Sequence, residues 1–64
     1  MKRIGKRVKI LGGMSEFVGK TGTIIDFERC DRMYRVRLDE PVEVPSVGFV
    51  SDDLWVGALL RNVR

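Results

Sequence analysis

The stretch FVGKTGTIIDF, residues 17–27, contains two glycines three positions apart at the entry to an apolar, β-branched run. Glycine weakens a strand unless the strand coils sharply or a second backbone approaches where a Cβ would collide. Gly19 and Gly22 therefore predict a tight bend or a close backbone contact at this point. Bends of this kind allow a short chain to curl its sheet.

Short β-branched and aromatic runs recur along the rest of the chain, bounded by Gly, Pro, Asp and Ser. This spacing of eight to twelve residues is typical of a small all-β fold, and helical periodicity is hard to find over any twelve-residue window. The predicted strands are RVKIL (7–11), TGTIIDF (21–27), YRVRL (34–38), a run within GFVSDDLWV (48–56) and RNVR (61–64).

The segments between these runs predict turns and loops. ERCDRM (28–33) reads as a polar turn, and DEPVEVPSVG (39–48) reads as a loop or irregular edge because it holds both prolines. One tight helical turn fits residues 57–60. Five strands with such a turn before the last predict a single domain, residues 1–64, folded as a small closed barrel without exposed sheet edges.

The third run shows which side of the sheet is buried. Tyr34, Val36 and Leu38 alternate with Arg35 and Arg37, so the first three are predicted to face the core and the two arginines to face solvent.

Length and composition limit the class of protein. Sixty-four residues lie near the lower limit for a domain that folds without disulfides or metals. The lone Cys30 excludes an internal disulfide and fits a reducing compartment. Because the start lacks the apolar core of a signal peptide and no run is long enough for a membrane helix, we expect a cytoplasmic protein without membrane contact.

The net charge of +3 hides an asymmetry along the chain. Residues 1–37 carry ten Lys/Arg and four acids, whereas residues 38–64 carry two Lys/Arg and five acids. The first part is therefore +6 and the second −3. A basic half favours polyanionic partners, although basicity also serves solubility alone.

The segment GKRVKILGGMSEFVGKTGTIIDF, residues 5–27, resembles the KOW motif of ribosomal proteins and NusG-type elongation factors. Val8 and Ile10 match the alternating strand, and Gly19, Lys20 and Gly22 match the Gly-Lys-x-Gly entry to the second strand. The resemblance implies an all-β, five-stranded SH3-like barrel with a short 3-10 turn before its last strand. It implies function less firmly, because this fold serves nucleic-acid binders and structural subunits alike.

The residue types in this chain give little support to a catalytic site or a metal site. The chain has no histidine, which excludes His-based acid–base catalysis and histidine metal sites. Cys30 lacks an evident base, and adjacent Asp52 and Asp53 face opposite ways on a strand. GKTGT lacks the spacing of a phosphate-binding loop. We therefore predict a non-enzymatic protein with no cofactor and no metal.

A binding surface is the remaining prediction. If the second strand pairs with the first and the third, their outward cations share one wall, which would suit phosphates. A solvated face neutralised by Asp26 and Glu28 is the alternative. The predicted nucleic-acid-binding residues are Arg7, Lys9, Lys20, Arg32, Arg35 and Arg37.

The loop between the first two runs offers a second candidate contact. Met14 and Phe17 lie where KOW proteins commonly touch partners, so an exposed apolar tip there would indicate a partner-contact site. Phe17 could instead fold back over the end of the barrel. Tyr34 and Trp55 are expected in the core in preference to a base-stacking role.

Together these observations predict a module that binds nucleic acid, RNA in preference to DNA, or a ribosome- or polymerase-type complex. The alternative is a protein-interaction or accessory subunit in which the acidic segment 39–53 and the loop of Phe17 dock onto a larger complex or a copy of the same chain.

Overall fold

A computed structural model describes residues 2–63 as one five-stranded antiparallel sheet with a 3-10 turn before the last strand. The elements are β1 (Arg7–Ile10), β2 (Thr21–Glu28), β3 (Met33–Val44), β4 (Gly48–Val56), the turn η1 (Gly57–Leu59) and β5 (Leu60–Asn62). The predicted all-β class, five strands and helical turn are confirmed. Arg64, in the last predicted strand, lies outside the described residues, as does Met1.

The strand order is β4-β3-β2-β1-β5. Neighbours along the chain pair as hairpins, and β5 returns beside β1, where Val8 faces Asn62 and Ile10 faces Leu60. The sheet is not closed, because β4 and β5 are its two edges among the residues described. The described residues thus show a five-stranded antiparallel sheet, and the closed barrel expected from the sequence is not observed.

The third strand is longer than its sequence predicts. β3 continues through residues 39–44, which were expected to be a loop, and only residues 45–47 form the turn to β4. Pro41 is tolerated because the register between β3 and β4 shifts between Arg37 and Val42, so the proline falls in an irregular section of the ladder. The sequence predicted a loop or an irregular edge here; for residues 39–44 the loop is wrong, and an irregularly paired strand at the edge of the β2–β3 ladder is observed.

The core lies on one face of the sheet. The predicted alternation in β3 is confirmed, because Tyr34, Val36 and Leu38 are buried while Arg37 is exposed. Val8 and Ile10 of β1 alternate in the same way with Arg7 and Lys9. The other buried apolar residues are Phe17, Ile24, Val42, Val44, Trp55 and Leu60.

The two glycines that open the second strand have separate functions. Gly19 has φ +86°, a left-handed conformation that favours glycine, and a Cβ there would meet nothing within 4 Å. Gly22 has no positive φ, but a Cβ there would lie 2.4 Å from the carbonyl oxygen of Arg37. Gly22 therefore allows β3 to approach β2 closely. This is the close backbone contact that the sequence predicted as one of two reasons for a glycine here.

A bulge at Ile25 reverses the alternation of β2. Ile24 pairs with Val36 and Asp26 with Arg35, so one extra residue stands on β2. Because of the bulge Phe27 turns inward, where its ring packs against Tyr34 with 4.8 Å between the centroids. The carboxylate of Asp26 accepts a hydrogen bond from the backbone N–H of Phe27.

Within residues 2–63 the only helical element, η1, has three residues, and no helix is long and apolar enough to cross a membrane.

Candidate functional site

The face of the sheet opposite the core carries the cations predicted to bind phosphate, and we call it the outer face. β2 lies between β1 and β3, as the sequence prediction required. Arg7 faces Thr23, Thr23 faces Arg37, and Lys9 faces Thr21 across the ladders. The geometry therefore brings Arg7, Lys9 and Arg37 onto one wall around two short threonines of β2.

Arg7 is held by an acid that the sequence analysis had placed in a loop. Its guanidinium crosses β2 and donates two hydrogen bonds to the carboxylate of Asp39, at 2.5 and 2.6 Å, and a weaker one to Thr23 Oγ1. The hydroxyl of Thr21 donates to the same carboxylate at 2.6 Å. These hydrogen bonds, from Arg7 first and then Thr21, lower the pKa of Asp39 from 3.8 to about 2.

The same pair raises the pKa of Arg7 further above its usual value, mainly through the hydrogen bond to Asp39. A bidentate arginine–carboxylate pair is planar and directional; it uses two of the five guanidinium N–H donors, and the carboxylate compensates the positive charge. Arg7 is therefore largely neutralised as a phosphate ligand.

Arg35 is paired in a similar way. Its guanidinium donates to Asp52 of β4 at 2.9 Å, and Glu28 of β2 approaches it at 4.0 Å. The sequence analysis expected Asp26 and Glu28 to neutralise the cations of this wall, but the acid closest to Arg35 is Asp52. Asp53, the next residue, accepts a hydrogen bond from the backbone of Leu54, so the adjacent acids do not act together.

Lys9 and Arg37 form no ion pair within residues 2–63. Arg37 is exposed, and although Asp52 faces it across the β3–β4 ladder, that carboxylate is bound to Arg35. Lys9 is half-buried and faces Arg61 across the β1–β5 ladder. Two like charges directly opposite each other on a sheet are destabilising by roughly 0.2–1 kcal/mol.

Arg61 was missed by the sequence analysis. It lies on β5, is exposed, and likewise forms no salt bridge among the described residues. The available signal was the topology itself, because a last strand that pairs with the first places Arg61 beside Lys9.

Lys20 and Arg32 lie at opposite ends of β2. Eight residues of strand separate them, a distance of roughly 26 Å at 3.3 Å per residue. Lys20 borders an open groove of about 570 Å³ together with Glu16, Glu40 and Glu43. Arg32 is exposed in the β2–β3 turn at φ 54°. Lys20 and Arg32 therefore lie beyond opposite ends of the wall and cannot contact the same short ligand.

Phe17 does not form the exposed contact expected of it. Its side chain is 2% exposed and packs edge-on against Trp55, with the ring centroids 5.3 Å apart. The loop closes beneath it through a hydrogen bond from Phe17 N–H to the carbonyl of Met14. The alternative, that Phe17 folds back over the core, is the one observed, whereas Met14 is 51% exposed.

The remaining candidate side chains lie in the core or in the β2–β3 turn. Tyr34 is buried and its hydroxyl accepts a hydrogen bond from the backbone N–H of Lys2, and Trp55 is buried. Cys30 is exposed in the β2–β3 turn. No cluster of three or more acidic or cysteine side chains suited to a metal ion occurs between residues 2 and 63.

Comparison with known proteins finds no matching family model, no matching curated protein and no matching solved structure.

Proposed function

We propose that this chain is a non-enzymatic module that binds nucleic acid on its outer face, with RNA favoured over DNA. The observation that carries the proposal is the juxtaposition of Lys9 and Arg61. They face each other across the β1–β5 ladder without an acid to pair with among residues 2–63, whereas Arg7 and Arg35 on the same face are both paired.

Unpaired like charges repel each other, and a bound polyanion removes that repulsion and releases its own counterions. Lys9 and Arg61 are about 4.8 Å apart in the sheet. Arg37 lies on β3, two strands from β1, and is level with Arg7, so it is offset from Lys9 by two residues along the strands. Measured across the strands, the three cations span about 14 Å, from β5 to β3. This width suits contacts to successive phosphates, which position a strand without reading its sequence.

The ion pairs change the expected contribution of each predicted residue. Arg7 and Arg35 stabilise the sheet and add little attraction, because their acids accompany them. Lys20 and Arg32 contribute only to a ligand long enough to run along β2. With three principal contacts, we expect the logarithm of affinity for single-stranded RNA to fall with the logarithm of salt concentration with a slope of about −2.

The finer fold assignment is part of this proposal. The order β4-β3-β2-β1-β5 and the 3-10 turn directly before β5 support an SH3-like barrel with a KOW-like hairpin formed by β1 and β2. Gly19 and Gly22 support it further, since both positions need glycine for reasons of conformation or space.

The test is fluorescence anisotropy with a labelled single-stranded oligouridine and a duplex DNA of equal length, titrated over a range of salt. Lys9→Glu, Arg37→Glu and Arg61→Glu should each lower RNA affinity about tenfold or more, the effect of losing roughly 1.4 kcal/mol per phosphate site. Arg29→Glu is the matched control, because Arg29 is exposed in the β2–β3 turn and undergoes the same change of charge.

Equal losses from Arg29→Glu and Lys9→Glu would show that only net charge matters, which contradicts a defined site. Unchanged affinity in the Lys9→Glu, Arg61→Glu double variant would end the proposal. Circular dichroism of each variant separates lost binding from lost fold.

A further inference from the structure

The hairpin of β3 and β4 carries the most exposed large apolar side chains of the described chain. Val47 in its turn is 71% exposed and Phe49 on β4 is 73% exposed. The β2–β3 ladder ends where Gly22 faces Leu38, so beyond that point β3 pairs only with β4. One face of this part of the hairpin packs Val42 and Val44 into the core, and the other face presents the aromatic ring of Phe49 to solvent.

Acidic side chains lie close to this ring along β3. Glu43 faces Phe49 directly across the ladder, and Glu40 lies three residues before Glu43 and borders the same groove as Glu43 and Lys20. Residues 38–60 contain no Lys or Arg, and neither Glu40 nor Glu43 forms a salt bridge within residues 2–63. We call Glu40, Glu43, Val47 and Phe49 the hairpin tip; it combines negative charge with exposed apolar surface.

A surface of opposite charge and similar mixed character lies on β1 and β5. Lys9 and Arg61 form no salt bridge among residues 2–63, and Leu11, the residue directly after β1, is 47% exposed. The backbone N–H of Leu11 donates to the carbonyl of Leu59 at 2.7 Å, which fixes Leu11 beside η1. We call Lys9, Leu11 and Arg61 the basic–aliphatic patch.

The two surfaces belong to opposite ends of the strand order, β4-β3 at one end and β1-β5 at the other. No described salt bridge joins them within one molecule. No salt bridge among residues 2–63 neutralises either surface, and Lys20 borders the same groove as Glu40 and Glu43 without pairing with them. Each surface has the charge and apolar content that complements the other.

We propose that the hairpin tip of one molecule docks onto the basic–aliphatic patch of a second copy. Phe49 packs on Leu11 and on the aliphatic stem of Lys9, while Glu40 and Glu43 neutralise Lys9 and Arg61 of that copy. A second copy is the favoured occupant because the same sequence supplies both complementary surfaces. This inference does not rest on nucleic-acid binding.

The contact is heterologous, because two different surfaces meet, so it extends from molecule to molecule and does not stop at a symmetric dimer. The surfaces are small, and an interface below about 1,200 Å² in total is typical of weak, transient association. Nucleic acid on Lys9 and Arg61 competes with the docking hairpin. Self-association therefore falls when nucleic acid is added.

The experiment is sedimentation velocity on nuclease-treated protein, from micromolar to millimolar concentration, at about 0.05 M and about 0.5 M salt, where charge screening differs strongly. The wild-type chain should associate with rising concentration at low salt and dissociate at high salt. Glu43→Lys and Lys9→Glu should each be monomeric under all conditions. Mixing the two variants should restore association, since each then meets a surface of opposite charge.

Asp31→Lys is the matched control, because Asp31 is exposed in the β2–β3 turn and undergoes the same charge reversal as Glu43. It should associate like the wild type. Phe49→Ser tests the apolar part at constant charge and should also be monomeric, with an unchanged melting temperature that shows the fold is intact.

Three results would overturn the proposal: a monomeric wild type at millimolar concentration and low salt, an equal effect of Asp31→Lys and Glu43→Lys, or a mixture that stays monomeric. Stronger association of Glu43→Lys alone would likewise contradict it, because a lysine at position 43 would then have to meet an acidic surface and not Lys9 and Arg61. RNA affinity distinguishes the two proposals, since Glu43→Lys and Phe49→Ser should bind RNA at least as well as the wild type, whereas Lys9→Glu should not.

Discussion

Replacing Gly22 with alanine tests how closely β2 and β3 approach. The new Cβ would lie 2.4 Å from the carbonyl oxygen of Arg37 and 2.7 Å from Val36 Cγ1, whereas ordinary contacts begin near 3.4 Å. The two strands would have to separate by about 1 Å where Gly22 faces Leu38, at the end of the β2–β3 ladder. Gly22 pairs with Val8 on one side and Leu38 on the other, so a shift that relieves one ladder disturbs the other.

The magnitude follows from three contributions. Overpacking in a close-packed core costs about 1–3 kcal/mol. Weakened ladder hydrogen bonds add about 1 kcal/mol. The reduced entropy of the unfolded chain restores about 0.4–1 kcal/mol. We therefore expect Gly22→Ala to lower the free energy of unfolding by about 2 kcal/mol, within a range of about 1–3.6 kcal/mol, a large part of the total of roughly 3–10 kcal/mol for a chain of this length.

Urea denaturation followed by the fluorescence of Trp55, which is buried in the core, measures this change. For a domain of this size the melting temperature should fall by about 10–20 °C. Gly19→Ala is the control: φ is +86° there, but the space is open, so only the left-handed conformation is penalised, by about 1 kcal/mol. A Gly22→Ala variant within about 0.5 kcal/mol of the wild type would refute the close approach as the reason for this glycine.

Three further predictions concern single side chains. Because the pKa of Asp39 is lowered to about 2 on folding, its contribution to stability is complete above pH 3.8 and is lost as the pH falls through about 2. Arg7→Gln should move the Asp39 pKa back toward 3.8 in a carboxyl NMR titration and make the loss of stability in that pH window shallower; an unmoved pKa would contradict the pairing. Phe17→Ala should cost about 3–5 kcal/mol in urea denaturation, whereas Phe49→Ala should change stability by less than about 0.5 kcal/mol; similar costs for the two would contradict their assigned burial. Cys30 should react with a thiol reagent in the native protein about as fast as in urea, and strong native protection would contradict its exposure.

Local sequence patterns were sufficient for most of the fold. The runs at 7–11 and 34–38 alternate between apolar and basic residues, and the run at 21–27 is rich in β-branched residues, so their strands could be predicted from the sequence alone. The second half of β3 could not be predicted in this way. Pro41 and Pro45 indicate a loop, and the strand around Pro41 persists only because the β3–β4 register shifts there, which is a tertiary property.

That same error concealed the main ion pair of the candidate site. With residues 39–48 taken as a loop, Asp39 had no defined direction. A strand that continues past Leu38 places Asp39 on the same face as Arg37, two residues on, where Arg7 reaches it across β2. The position of Phe17 was not predictable either, because a loop aromatic has no periodicity to show whether it faces the core.

The charge of the outer face depends on the short side chains of β2. Arg7 reaches Asp39 only because threonines occupy positions 21 and 23 of the intervening strand, and both hydroxyls hydrogen-bond to the bridging groups. Larger side chains there would separate the arginine from the acid and leave Arg7 free. The composition of residues 1–37 therefore overstates how basic this wall is: its β3 side is mostly compensated by acids of β3 and β4, and the uncompensated charge is concentrated where β5 joins β1. A strand as short as β5 thus determines where a polyanion, or the acidic hairpin of a second copy, would bind.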